Sequence, residues 1–228
     1  MTTLLIATRN THKVQEIRAI LGDGFRYLTL NDFLTAPKVV EDANTFAGNA
    51  TKKAVELARW LIETLNSELA TRNSFVLADD SGLEVDALDG APGVQSARFA
   101  ALDMEKTGNS SDADNNAKLL RLLKDIPPER RTARFRCVIA LAPCASEPGT
   151  QNTELGTRNA ELFEGVCEGH IGFEPRGKNG FGYDPLFTPE GFNQTFAELG
   201  EDVKNKLSHR ARALAKLKQS LQSAGQRG

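Results

Sequence analysis

The sequence predicts an α/β fold in which helices flank a mixed central sheet. Three features predict it: an apolar N-terminal run that passes through a polar loop into a helical pattern, strand and helix signals that alternate early in the chain, and long strand-like stretches in its middle.

Thr3 to Ala7 is an apolar run with strand propensity. Thr8, Arg9, Asn10, Thr11, His12 and Lys13 follow as a polar loop, before Val14, Ile17, Ile20 and Leu21 recur at helical spacing. Such a junction turns backbone N–H groups and the positive end of a helix toward the mouth of a sheet, where an anion can sit. Phe46 to about Ala70 reads as one long helix whose buried stripe is Ala50, Ala54, Leu57, Ala58, Leu61 and Leu65.

Phe75 to Ala78 reads as a short buried strand entering a turn at Asp79, Asp80, Ser81 and Gly82, after which Leu83, Val85 and Ala87 alternate as a second strand. Ser111 or Asp112 caps a helix carrying Leu119, Leu120, Leu122 and Leu123, and Pro127 and Pro128 stop it. Phe135, Cys137, Ile139 and Leu141 alternate with arginines as a strand does, and Ala160 to Glu168 is a further strand. Pro175 to Pro185 is a turn-rich loop containing Gly177, Gly180 and Gly182, and a helix from about Gly200 to Gln222 closes the pattern. No linker interrupts it, so residues 1–222 are expected to form a single domain, with 223–228 as a flexible tail. Pro143 to Thr157 reads as an exposed loop.

The composition is that of an ordinary globular chain: 228 residues, 25% charged and 40% hydrophobic. A net charge of −2 excludes a general nucleic-acid coat, which needs a basic excess to displace counterions. Arg130, Arg131, Arg134 and Arg136 are the strongest basic feature, and their spacing along a strand reads as a solvated face. Cys137, Cys144 and Cys167 lack the paired spacing of a zinc site and read as reduced thiols. The run Met1 to Thr8 has no basic leader and is too short to span a membrane, so neither a membrane nor a secretory route is expected.

Asp79 and Asp80, directly after an apolar strand, suit a metal ligand and a general base, with Asp79 placed to raise the proton affinity of Asp80. The same Asp-Asp-Ser-Gly string is also ordinary turn chemistry. Glu41 and Asp42 form a second acidic pair, while Lys13 and Lys53 are cations that can reach phosphates. In the segment Gly177 to Asp184, the spacing fits neither a dinucleotide fingerprint nor a P-loop. Phe181 and Tyr183 offer aromatic faces to a base and Asp184 an acceptor for a ring N–H. Lys204, Lys206, Ser208, His209 and Arg210 gather donors that suit a 6-oxopurine and mismatch the 6-amino group of adenine.

Taken in order along nearly the whole chain, these pieces resemble the inosine triphosphate pyrophosphatase family, the Ham1 or RdgB-like non-canonical purine nucleoside triphosphate pyrophosphatases. The likeness is carried by Leu5-Ile-Ala-Thr-Arg-Asn with Lys13, Thr45-Phe and Asn49-Ala, Ala78-Asp-Asp-Ser-Gly-Leu, and Gly90-Ala-Pro-Gly with Ser96-Ala-Arg. It continues through Ala133-Arg-Phe, Phe163-Glu-Gly, Pro175-Arg-Gly, Asn179 to Phe187 and Ser208-His-Arg.

The resemblance implies two lobes with the active site in the cleft between them, and metal-dependent hydrolysis of ITP, dITP and XTP to the monophosphate and pyrophosphate. It implies that Thr8, Arg9, Asn10, Thr11, His12 and Lys13 line the substrate, that Asp80 is the general base and a Mg2+ ligand, and that Glu41 assists the metal. It places Lys53 and Ser81 near phosphate, gives the base to Phe181, Gly182, Tyr183 and Asp184 with Phe181 stacking, and completes purine recognition with Lys204, His209 and Arg210. It further implies a cytoplasmic homodimer. Gly48 stands where the family usually has Glu and Gln95 where it commonly has an aromatic residue, departures that touch the support of the metal side and the wall or subunit contact near Ser96. The alternatives are a related enzyme preferring modified pyrimidine triphosphates and a nucleotide sensor without turnover, the latter disfavoured by acids facing a triphosphate.

Overall fold

The computed structural model of the protein describes residues 1–64, 73–104, 108–144 and 160–225. The expected end of the long helix past residue 64, most of the 143–157 loop and the last residues of the tail lie outside the described residues. Among the described residues six strands form one sheet in the order β2-β1-β3-β4-β5-β6. They are β1 (Thr2–Ile6), β2 (Phe25–Thr29), β3 (Ser74–Val85), β4 (Thr132–Pro143), β5 (Glu161–Ile171) and β6 (Phe187–Pro189). β1 runs parallel to β2 and to β3, whereas β5 and β6 are antiparallel, so the sheet is mixed as the sequence predicts.

The helices are α1 (Thr11–Leu21), α2 (Phe46–Thr64), α3 (Asp112–Leu122), α4 (Phe196–Leu199), α5 (Glu201–Leu207) and α6 (His209–Gly225). Residues 1–80, 138–164 and 213–228 make one unit, and residues 81–137 and 165–212 a second. In the first, the apolar run of β1 contributes Leu4, Leu5 and Ile6 to the interior, α1 contributes Ile17 and Leu21, and α2 contributes Ala50, Ala54, Leu57 and Leu61. These α2 positions are the stripe that the helical spacing marks. In the second, Leu83, Val85, Leu119, Leu123, Phe135, Tyr183, Phe187 and Phe196 belong to one packed cluster. Phe135 lies 4.7 Å from Phe187 there, centroid to centroid.

Three expectations are corrected. The turn expected at Asp79 to Gly82 is absent: β3 runs unbroken from Ser74 to Val85. Turn chemistry is only one way to accommodate consecutive acids; here both are buried and supplied with cations, so the extended ladder survives. Ala87 leaves the strand and enters a 3-10 turn that closes at Asp89, with φ of 52°. The helix expected from Gly200 to Gln222 is two helices, because Ser208 is extended (φ −66°, ψ 163°) and caps α5. The second of them continues through Gly225, past the point where the tail was expected to begin.

Of the four arginines, Arg131 alone departs from the solvated face that the strand pattern predicts. Arg131 is buried, and donates to the carbonyls of Leu123, Ile171 and Gly172 at 2.8, 2.9 and 2.6 Å. Arg134 pairs with Asp86 and Glu168, and Arg136 with Glu84. The three cysteines are buried in the interior, and burial pushes Cys144 up to about 12 and Cys167 up to about 11. Among the described residues no helix is long and apolar enough to cross a membrane.

Candidate active site

Two groups of polar side chains are built from the predicted residues, one in each unit. In the first unit β1 ends at Ile6, and the polar loop climbs into the first turn of α1. Thr8 accepts from the backbone N–H of Asn10 at 3.1 Å, and Asn10 caps the helix by accepting from Lys13 N–H at 3.2 Å. Arg9, Asn10, Thr11 and His12 are exposed around this helix start, so its positive dipole end lies at the surface.

Asp79 and Asp80 follow on β3, and successive strand residues point to opposite faces. Asp79 forms an ion pair with Lys13. Lys53, buried on α2, donates to the Asp79 carbonyl at 3.0 Å and pairs with Glu41 at 2.6 Å. Asp42 turns instead to Lys52, 2.7 Å away on the surface. The carboxyl of Asp80 is pushed up to about 6, chiefly by burial and in smaller part by Glu41, against the opposing pull of Lys13, Lys53 and the Asn49 amide. The expectation that Asp79 raises Asp80 is thus replaced: desolvation does so, and Asp79 is engaged by Lys13.

This donor set suits a hard divalent cation. Among the described residues no three His, Cys, Asp or Glu side chains are grouped tightly enough to hold a metal alone. Mg2+, however, is usually held by one or two carboxylates with substrate phosphates and water completing its octahedron. Glu41 and Asp80 are two oxygen-bearing acids close enough to repel each other, with lysines beside them for phosphate charge.

The second group hangs on the 175–185 loop and the start of α6. Asp184 pairs with Lys204 at 2.5 Å and also accepts from the Phe181 N–H at 2.8 Å. The Lys204 ammonium lies 4.5 Å from the centre of the Phe181 ring, and the Arg210 guanidinium 5.9 Å from it. Arg210, itself buried, donates to Ser81 Oγ at 2.9 Å. His209 stacks on Phe135 with centroids 4.8 Å apart.

The structure divides the segment predicted to hold a base. Phe181 stays half-buried over the cations, whereas Tyr183 turns into the core and its hydroxyl donates to the Ser96 carbonyl at 2.9 Å. The N–H of Gly182 is taken by Asp112 at 2.6 Å. Asp184 is buried beneath the loop and serves Lys204 and Phe181. The sequence marks Asn49 and Ser96 only as motif residues and Asp112 only as a candidate cap, without a place in the site. Each acts through its contacts with backbone amides or carbonyls. Gln95 accepts from Arg98 Nε at 2.5 Å, which accounts for a polar residue at that position.

The chain is similar to known proteins along nearly its whole length. A "dITP/XTP pyrophosphatase" of Exiguobacterium sibiricum is 47% identical over 219 residues, covering 96% of both chains. The protein of the same name from Geobacter sulfurreducens is 49% identical over 222 residues and 97% of both chains. Among solved structures, a HAM1 protein from Coxiella burnetii superposes with a TM-score of 0.75 at 34% identity, over 98% of this chain and 100% of the other. The family model described as the Ham1 family matches residues 4–220, and the chain belongs to that family.

Proposed function

We propose that the protein hydrolyses non-canonical purine nucleoside triphosphates, ITP, dITP and XTP, to the nucleoside monophosphate and pyrophosphate, with Mg2+ as its cation. The observation that carries the reading is Asp80: a buried carboxyl with a raised proton affinity, set among two lysines and Glu41. The names of the curated relatives support the substrate class.

In this reading water attacks the α-phosphorus, Asp80 takes its proton, and the bond from that phosphorus to the bridging oxygen breaks to release pyrophosphate. A carboxylate near 4 is a weak base at neutral pH, and burial, which holds Asp80 near 6 in the metal-free protein, makes it a better match to the proton it must accept. Glu41 and Asp80 would hold the cation, which would polarise phosphate oxygens and neutralise the leaving charge. Lys13, Lys53 and the amides at the start of α1 carry the phosphates. Ser81 stands near phosphate, one residue after the base.

The purine lies against Phe181, whose ring is already polarised from below by Lys204. Arg210 and His209 present donors to the 6-oxo group, a position where adenine would offer donors against donors. A cytoplasmic homodimer belongs to the same reading. Pyrophosphate release from ITP, XTP, dITP, GTP, ATP, dUTP and TTP, with and without Mg2+, tests it. Turnover concentrated on the inosine and xanthosine substrates and lost without metal is the expected result; preference for pyrimidines, or binding without turnover, would overturn it.

A further inference from the structure

The loop bearing Glu41 docks onto the first turn of α2, where one buried side chain holds its backbone. Asn49 is only 1% exposed. Its Oδ1 accepts from the backbone N–H of Ala43 at 2.9 Å, two residues beyond Glu41. Because a backbone N–H can only donate, the Ala43 contact fixes which end of the Asn49 amide is oxygen, and the buried NH2 end has no hydrogen-bond partner among the described residues.

Gly48 makes the second contact with this loop. A Cβ at this position would stand 2.8 Å from the Ala43 methyl carbon and 3.0 Å from Thr45 Oγ1. The Ala43 to Thr45 segment therefore packs on a bare α-carbon, while Thr45 Oγ1 accepts from the Gly48 N–H at 3.0 Å. Any side chain here would push the loop outward and draw Ala43 away from Asn49.

We propose that Asn49 is a positioning residue for the metal site: its carbonyl oxygen holds the loop of Glu41 against the first turn of α2, and it thereby sets the spacing at which two carboxylates meet one divalent cation. The proposal rests on the reading of Glu41 and Asp80 as metal ligands. Gly48 is its complement, keeping the loop close enough for the Asn49 bond to form. Groups that orient a ligating carboxylate from behind are worth about 10- to 100-fold in metal affinity.

The test uses Mn2+ alone as the probe, titrated into metal-free protein and read by water-proton relaxation, so that turnover plays no part. Asn49→Leu keeps the side chain's bulk and removes the hydrogen bond to Ala43; Gly48→Ala displaces the loop while improving helix propensity, and so remains informative where Asn49→Leu fails to fold. Both folded variants are expected to bind Mn2+ about tenfold more weakly than the wild type, with thermal unfolding still cooperative. Wild-type Mn2+ affinity in either folded variant overturns the proposal. Unchanged Mn2+ binding by Asp80→Asn would instead remove the metal reading itself, and the proposal with it.

Discussion

Lys204 and Asp184 form an ion pair of 2.5 Å in which the side chains are 3% and 2% exposed. So deep a pair has given up nearly all its hydration, and it is kept in place by what each partner also touches: the Phe181 ring above the ammonium and the Phe181 N–H on the carboxylate. Breaking one side leaves an uncompensated buried charge. Lys204→Met is therefore expected to destabilise the protein by about 3–5 kcal/mol, and the double variant with Asp184→Asn to recover much of that loss. Urea unfolding of the four proteins measures the coupling.

Gly180 is the backbone counterpart of this pair. Its φ is +77°, and a Cβ there would overlap the Asp184 carboxylate. Gly180→Ala is expected to shift Asp184, and with it Lys204 and Phe181, raising KM for ITP about tenfold, the equivalent of roughly 1.4 kcal/mol, with a smaller change in kcat. Steady-state kinetics separates the two constants.

Burial of Asp80 has a consequence for stability. An unfolded Asp releases its proton near 3.9, whereas in the metal-free folded protein Asp80 holds it up to about 6. Between those values the folded state binds the extra proton, so this group's contribution to stability falls as pH rises and is fully lost above 6. Asp80→Asn removes the penalty, and is expected to gain on the order of 2–3 kcal/mol over the wild type as pH rises from 4 to 7 without metal. Denaturant unfolding of both proteins at several pH values checks it.

Tyr183 gives a prediction for structure apart from chemistry. Its hydroxyl donates to the Ser96 carbonyl in the interior, and Ser96 Oγ in turn accepts from the Leu83 N–H at 2.9 Å. Tyr183→Phe is expected to cost about 1–2 kcal/mol of stability and to leave kcat for ITP within about twofold of the wild type. Thermal unfolding beside turnover distinguishes this from a role in holding the base.

Much of this was legible in the sequence because it is periodic. The stripe Ala50, Ala54, Leu57, Leu61 marked α2, and the run Thr3 to Ala7 marked the strand that precedes α1. β2 and β6 carried no such signal: Phe25 to Thr29 is only half-buried, and Phe187–Pro189 has three residues, too few to show a period. Asp79 and Asp80 were found by type and misread by conformation, since their local chemistry favours a turn and only the lysines brought from α1 and α2 make the buried strand tolerable. Likewise Tyr183 and Asp184 read as ligand contacts because aromatic and acidic residues among glycines invite it. The partners that draw them inward, Ser96 and Lys204, are distant in sequence.

The central claim is that water attacks the α-phosphorus with Asp80 as base. Hydrolysis of ITP in 18O-labelled water with Mg2+ tests it most directly, by locating the label in the products. The expected result is label in the inosine monophosphate and none in the pyrophosphate, with Asp80→Asn slower by about 10²–10⁴-fold. Label in the pyrophosphate or in orthophosphate, or near-normal turnover by Asp80→Asn, would contradict the account.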